Sequence, residues 1–246
     1  MQKVTKNIDE LKTIYKETYE KVLVACPTYI GKKYALEGYV RAYNDFVYPY
    51  RSLFMVDNTG SGLKYFKHLK KLGVPCVHIN PSVDFVETFT RSWMEIWKEA
   101  KKQNVQWVMS IEQDNICPPL TIDTMLNVAG YLRALHVAHA YPWHKTQSEH
   151  GYLTGLGCNL IHIDLLNAIF TREKWYTAVF ESELFETPKI LNVPSTELYN
   201  LLDIQHLDDH DGCEVWNFAQ EKIPVPSECD EEMKQPTKYL KPIEAQ

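Results

Sequence analysis

Trp107-Val108-Met109-Ser110-Ile111-Glu112-Gln113-Asp114-Asn115 is the stretch that decides how this chain reads. Its first five residues are mostly apolar, the pattern of a short strand buried on both faces. The strand runs straight into two carboxylates, Glu112 and Asp114, at i and i+2. In extended chain that spacing sends both side chains to one face. Pro118-Pro119 then keeps the chain from continuing smoothly. An open α/β sheet binds its ligands at the carboxyl ends of its strands. Hard oxygen donors at that place suit Mg2+ or Mn2+, which in turn hold phosphates. A turn rich in Asp and Asn is the other reading of the same residues.

Upstream, strands and helices alternate. Lys21 to Cys26 reads as a first buried strand broken by Pro27-Thr28-Tyr29, and Lys33 to Phe46 as a helix with one apolar side. Ser52 to Val56 is a second strand, ending in Asp57-Asn58-Thr59-Gly60-Ser61-Gly62. Leu63 to Leu72 reads as a helix capped by Gly73, Val74 to Ile79 as a third strand, and Val86 to Gln103 as a long amphipathic helix. This alternation predicts an α/β fold, a mostly parallel, doubly wound sheet with right-handed crossovers. Before it, Asp9 to Tyr19 has the composition of a short docking helix.

Downstream the pattern loosens. Ile122 to Arg133 is expected to be a helix, His136 to Tyr141 a strand, and Tyr152 to Ile163 a strand interrupted by Gly155 and Gly157. Residues 164 to 200 are aromatic and charged with weak periodicity, as in a substrate-facing region of mobile loops. Gly212 to Glu221 is expected to form the last helix. The tail beyond Pro226 is rich in Pro, Glu and Lys and reads as irregular.

With 246 residues the chain suffices for one well-buried α/β domain. Its net charge of -6 does not advertise a broad basic surface for nucleic acid, although Lys64, Lys67, Lys70 and Lys71 could form a local patch. The six cysteines include no C-x-x-C pair, and Cys26, Cys76 and Cys158 sit in apolar runs. Reduced cytoplasmic chemistry is therefore expected, without zinc. The polar stretch Met1 to Glu20 is not a signal peptide, and no apolar run reaches membrane-spanning length.

Five stations recur in order along the chain: Val24-Ala25-Cys26-Pro27-Thr28-Tyr29, Val56-Asp57-Asn58-Thr59-Gly60-Ser61, Ser110-Ile111-Glu112-Gln113-Asp114, Gly155-Leu156-Gly157-Cys158-Asn159 and Asp208-Asp209-His210-Asp211-Gly212-Cys213. That order resembles a family 2-like glycosyltransferase of the GT-A fold, over roughly residues 21 to 226. The resemblance implies a metal-dependent transfer of a sugar from a nucleotide-sugar donor, UDP-linked for preference, to a hydroxyl acceptor. It divides the chain into an N-terminal helix (1–20), a donor-binding half (21–120), an acceptor-binding and catalytic half (121–226) and a tail (227–246). By resemblance, Pro27, Thr28 and Tyr29 line the base and ribose pocket, with Asp57 bonded to the base and Asn58 beside it. Arg91 lies where the family often has a basic or amide residue near the diphosphate; a surface arginine on a long helix is the competing reading. Asp114 is the implied ligand of Mn2+ or Mg2+, and Glu112 contacts the ribose or a metal-bound water. Asp209 is the implied general base, and Trp143, Gly155, Gly157, Trp175 and Asp208 the acceptor side.

Two departures from the family pattern stand out. The acidic motif is E-x-D rather than D-x-D, and Ile223-Pro224-Val225-Pro226 leads into Ser227-Glu228 without a histidine. His206 or His210 could supply that ligand, or the metal could keep extra waters. The chemistry nevertheless suits these residue types. A bound divalent cation neutralises charge on a departing diphosphate, while a positioned carboxylate takes the proton of a weakly nucleophilic hydroxyl. A single such carboxylate implies one displacement, hence inversion at the sugar carbon. The acceptor could be a glycan, a small molecule or a modified base in DNA. Two alternatives are a nucleotidyltransferase, for which Gly31-Lys32-Lys33 is only a faint echo of a phosphate loop, and a non-catalytic sugar-binding module.

Overall fold

The computed structural model describes residues 20–60, 62–139, 147–148, 151–152, 156–171, 180–198, 201–202, 204–208, 214–216 and 222–223. Burial on both faces is what makes β1 (Val22–Thr28) a central strand. Val22, Val24 and Cys26 join one hydrophobic cluster, whereas Leu23 and Ala25 join the other. The same alternation recurs in β2 (Arg51–Asp57) and β4 (Trp107–Ile111). There Leu53, Met55, Trp107 and Met109 face one way and Phe54, Val56 and Val108 the other.

Seven strands make the main sheet, in the order β10-β6-β9-β4-β1-β2-β3, where β3 is Cys76–His78, β6 is His136–His139, β9 is Cys158–His162 and β10 is Ser195–Leu198. Pairing is parallel except at β9, which runs antiparallel to β4 and β6. Strands from both sides of residue 120 thus share one sheet.

One face is covered by α1 (Leu36–Asp45), α2 (Lys64–Lys71) and α4 (Thr121–Leu132) through Tyr39, Val40, Tyr65, Leu69, Ile122 and Met125. The opposite face is covered by α3 (Phe85–Gln103), α5 (Ile163–Phe170) and α6 (Phe180–Leu191). Trp93, Phe170 and Phe180 stack there, with ring centroids 4.7 Å apart for Trp93–Phe180 and 5.4 Å for Phe170–Phe180. Fully burying side chains of this size stabilises a fold by about 1.5–3 kcal/mol each. A second, antiparallel sheet has the order β13-β12-β11-β5, from β5 (Asn115–Ile116), β11 (Gln205–Asp208), β12 (Glu214–Trp216) and β13 (Lys222–Ile223). A small hairpin pairs β7 (Gln147–Ser148) with β8 (Gly151–Tyr152).

Several expectations are corrected. The described residues within 164–200 are mostly helix and strand: α5 and α6 bury Leu165, Leu166, Ile169, Phe180 and Leu184 against the sheet, and Ser195–Leu198 forms β10. Charged residues on the outer side, with Pro188 inside α6, diluted the periodicity. The described part of Gly212–Glu221 is a strand, because Glu214, Val215 and Trp216 pair with Asp208, Leu207 and His206. Of the interrupted strand expected over Tyr152–Ile163, Tyr152 belongs to β8 and Cys158–His162 to β9, with residues 153–155 outside the described residues; the helix expected from Lys33 opens as a 3-10 turn, Ile30–Ala35. Gly73 does end α2, with φ 74°, a conformation that suits glycine after a helix. The expected N-terminal helix and the tail lie outside the described residues.

His136 is fully buried in β6, between Ser195 Oγ at 3.2 Å and Asn159 Oδ1 at 2.9 Å. Because the amide oxygen can only accept, Nε2 carries the proton and Nδ1 accepts from the serine. Burial drives the pKa down to about 4, against a smaller opposing pull from Asn159. The unfolded chain therefore binds a proton that the folded chain refuses. This contribution is complete above the unfolded value near 6.5 and is lost as pH falls towards 4. Urea unfolding at pH 7 and pH 4.5 should show His136→Gln losing less stability on acidification than the wild type, by on the order of 2 kcal/mol. Equal losses would assign the acid sensitivity elsewhere.

Candidate active site

The parallel strands all end at one edge, and the loops beyond them meet. Asn58 N–H donates to the Thr28 carbonyl at 2.9 Å, and Ile30 N–H donates to Thr59 Oγ1 at 2.9 Å, so the turns after β1 and β2 are tied together. Asp57, at the end of β2, is fully buried. Its Oδ1 accepts from Thr59 N–H (3.0 Å) and Oγ1 (2.6 Å), and Oδ2 lies 2.9 Å from His78 Nδ1 on β3. Asn58 Nδ2 reaches Ser92 Oγ on α3 at 3.2 Å, and Arg91 beside it is exposed.

Beyond β4 the chain makes a hydrogen-bonded turn, in which Asn115 N–H donates to the Glu112 carbonyl at 2.9 Å. Glu112 and Asp114 both reach Lys32 from this turn, while Gln113 between them is fully buried. Gln113 Oε1 accepts from the Thr28 hydroxyl, and its Nε2 donates to the Lys32 carbonyl at 2.6 Å. The Tyr65 hydroxyl completes the group, 3.3 Å from Thr28 Oγ1 and 3.0 Å from Gln113 Nε2. Burial lifts the Tyr65 phenol to about 12 in spite of these bonds, so it stays protonated.

Lys32 is carried back over the strand ends by the 3-10 turn. Its Nζ lies 2.9 Å from Asp114 Oδ2 and 3.4 Å from Glu112 Oε2. Burial pulls the ammonium's pKa down, but the two carboxylates outweigh it and hold the pKa above the ordinary lysine value. Asp114 is nearly closed off, with 8% of its side chain exposed, whereas Glu112 keeps 31% and opens the group to solvent. Tyr29 stands at the rim, half exposed, with its ring folded over Gly31. A Cβ at Gly31 would come within 2.3 Å of that ring, so the close approach depends on glycine.

The chain after β6 returns to the same edge. The Gly157 carbonyl accepts from Glu112 N–H at 3.1 Å and from Asn115 Nδ2 at 2.9 Å, and Ser110 Oγ donates to the Leu156 carbonyl at 2.6 Å. Leu207 N–H donates to the Asp114 carbonyl at 2.7 Å, and β11 pairs with β5. The backbone leading to Asp208 therefore runs beside the acid pair.

Of the residues expected from the sequence, Thr28, Tyr29, Asp57, Asn58, Glu112, Asp114 and Gly157 meet here, with Pro27 in β1. Asp208 reaches the same edge by its backbone. Arg91 stays on the exposed side of α3. Asp209, His210, Trp143, Gly155 and Trp175 lie outside the described residues. Sequence reasoning did not single out Gln113, Tyr65, Thr59, His78 or the role of Lys32. Gln113 was not findable, because a turn rather than extended chain sets the direction of its side chain. Nor was Lys32, because only the 3-10 turn brings it back.

The cation chemistry can be tested on the residues themselves. A protein ammonium sits between Glu112 and Asp114, so the pair accepts positive charge in this geometry. The donor atoms are carboxylate oxygens, suited to Mg2+ or Mn2+. Among the described residues no group of three or more His, Cys, Asp or Glu side chains gathers around a common point, so water or residues beyond them must complete a coordination shell.

These features, a mixed sheet with an acid pair at its central strand and loops gathered at the carboxyl edge, define the GT-A fold. Known structures agree. No protein-family model and no curated protein sequence matches the chain. Similar solved structures include S. aureus TarS (TM-score 0.53, 13% identity, 73% of this chain and 35% of that one), a 1–349 form of which is in complex with UDP. Another is glucosyl-3-phosphoglycerate synthase from Mycobacterium tuberculosis with Mn2+, UDP-glucose and phosphoglyceric acid (0.53, 13%, 84% and 78%). A third is the mannosyltransferase PcManGT from Pyrobaculum calidifontis with GDP-mannose and Mn2+ (0.55, 11%, 75% and 56%). The chain thus spans about a third of TarS and about three quarters of the synthase. Among the described residues no helix is long and apolar enough to cross a membrane.

Gln113→Leu should strand the Lys32 carbonyl and leave the Thr28 hydroxyl with Tyr65 in place of its bond to Gln113. The expected cost is about 2–3 kcal/mol, read as a melting temperature lower by about 5–10 °C. An unchanged melting temperature would mean that these groups find other partners.

Proposed function

We propose that the protein is a divalent-metal-dependent, inverting glycosyltransferase that moves a sugar from a nucleoside-diphosphate donor, UDP-linked for preference, to a hydroxyl acceptor. The observation that carries this reading is the convergence of Thr28, Asp57, Glu112 and Asp114 at one sheet edge, with a cation held by the last two. Structures of the same fold bound to UDP, UDP-glucose and GDP-mannose support it.

In this reading Tyr29 offers its exposed ring to the base, and Thr28 stays fixed beneath it by Gln113. Asp57 already holds Thr59 and His78, so it shapes the pocket through them and meets the base with its remaining acceptor capacity. Asn58 spans the turn to α3, and Arg91 supplies positive charge at its outer end. Asp114 and Glu112 would hold Mn2+ or Mg2+, with His210 as a further ligand; when bound, the metal supplies Lewis-acid stabilisation of the diphosphate. Asp209 takes the acceptor's proton, because β11 carries the chain past Asp114 immediately before it. Gly157, strapped under Glu112, borders the acceptor together with Gly155, Asp208, Trp143 and Trp175. A glycan, a small molecule or a modified DNA base would each offer the hydroxyl.

UDP or GDP with Mn2+ at about a hundred times the dissociation constant should stabilise the protein by about 2.7 kcal/mol. A thermal-shift assay would register this as a rise of about 5–10 °C; no rise with any nucleoside diphosphate removes the donor assignment. Asp209→Asn should retain that rise while transfer falls by ~10²-fold or more. Transfer at the wild-type rate would release Asp209 from its role as base. Pyrophosphate release from a nucleoside triphosphate would favour the nucleotidyltransferase instead.

A further inference from the structure

Lys32 occupies the position that a metal ion would need. Its ammonium bridges Asp114 at 2.9 Å and Glu112 at 3.4 Å, and it reaches them from the turn directly after β1. The backbone beneath is fixed, because the Lys32 carbonyl accepts from the buried amide of Gln113 at 2.6 Å. The side chain therefore swings from an anchored base, with the exposed part of Glu112 marking the way out.

Formal charges decide what this arrangement can bind. Two carboxylates and one ammonium leave a net charge of about −1, which repels a diphosphate. A divalent cation added to the same three groups brings the total to about +1, which attracts one. Ammonium and metal cannot both sit between the two acids, since like charges a few ångströms apart in a half-buried place repel strongly. We propose that Lys32 is an exchangeable counter-ion: it holds the acid pair in the empty protein, gives way when a divalent cation enters, and turns its ammonium to the donor's diphosphate. This rests on the nucleotide-diphosphate reading of the site for its last step only.

The consequence is that metal and nucleotide load together. Without nucleotide, the metal must evict an ammonium for which the described residues offer no other carboxylate. With a nucleoside diphosphate present, the evicted ammonium gains a new partner. Lys32 thus keeps the acids paired and guards against metal uptake before the donor arrives.

Mn2+ affinity, measured from the loss of the free-ion electron-paramagnetic-resonance signal, tests this with and without UDP. In the absence of UDP, Lys32→Gln should bind Mn2+ at least tenfold more tightly than wild type. Lys32→Arg, which keeps the charge, should remain within about threefold of wild type. UDP should tighten Mn2+ binding to wild type by tenfold or more, and to Lys32→Gln by much less. Adding Asp114→Asn to Lys32→Gln should abolish the gain, which places the ion on this pair. Equal Mn2+ affinity of wild type and Lys32→Gln would overturn the proposal, as would an unchanged response to UDP in the variant. Tighter Mn2+ binding by Lys32→Gln, with no effect of UDP or GDP on any form, would keep the exchange of cations and reject the nucleotide reading.

Discussion

A strand covered by helices on both faces has no solvent to satisfy its polar groups, and β1 is such a strand over all but its last turn of chain. Everything polar is consequently pushed to the ends. At the carboxyl end the backbone and side chains must find partners among the neighbouring loops. The Thr28–Gln113–Tyr65 group and the Asp57–Thr59–His78 group are the two solutions. They close the core from above, and they fix the backbone on which Lys32, Glu112 and Asp114 stand. Among the described residues of the site, Tyr29, Glu112 and Lys32 reach water above this fixed base.

The first half of this architecture was legible because its signals are local. Buried strands ending in Pro27, Asp57 and Glu112, with amphipathic helices between them, leave one arrangement that buries every apolar stripe. The second half was not legible, for a physical reason. α5 and α6 pack through Phe170 stacked on Phe180 and Phe180 stacked on Trp93, the last a contact between residues far apart in the chain. No local period announces it. Likewise Val215 and Trp216 take strand geometry from their pairing with Leu207 and His206, not from their own neighbours.

The site shows the same division. The i, i+2 spacing pointed to Glu112 and Asp114 acting together, although a turn after β4 rather than extended chain brings both to Lys32, and the order of stations pointed to Thr28 and Asp57 beside them. Lys32 escaped because its place depends on how tightly the chain turns after β1. Similarity to solved structures at 11–16% identity speaks for the fold, and what the site binds is left to its side chains.

β6 ends and β9 begins at the same edge of the sheet, with Ala138 opposite Asn159 and Cys158 opposite Ile111. The last two residues between these strands, Leu156 and Gly157, are tied to the acid pair's own turn, their carbonyls accepting from Ser110, Glu112 and Asn115. A replacement segment spliced in between β6 and β9 would therefore have to end before residue 156 to keep the underside of the acid pair intact.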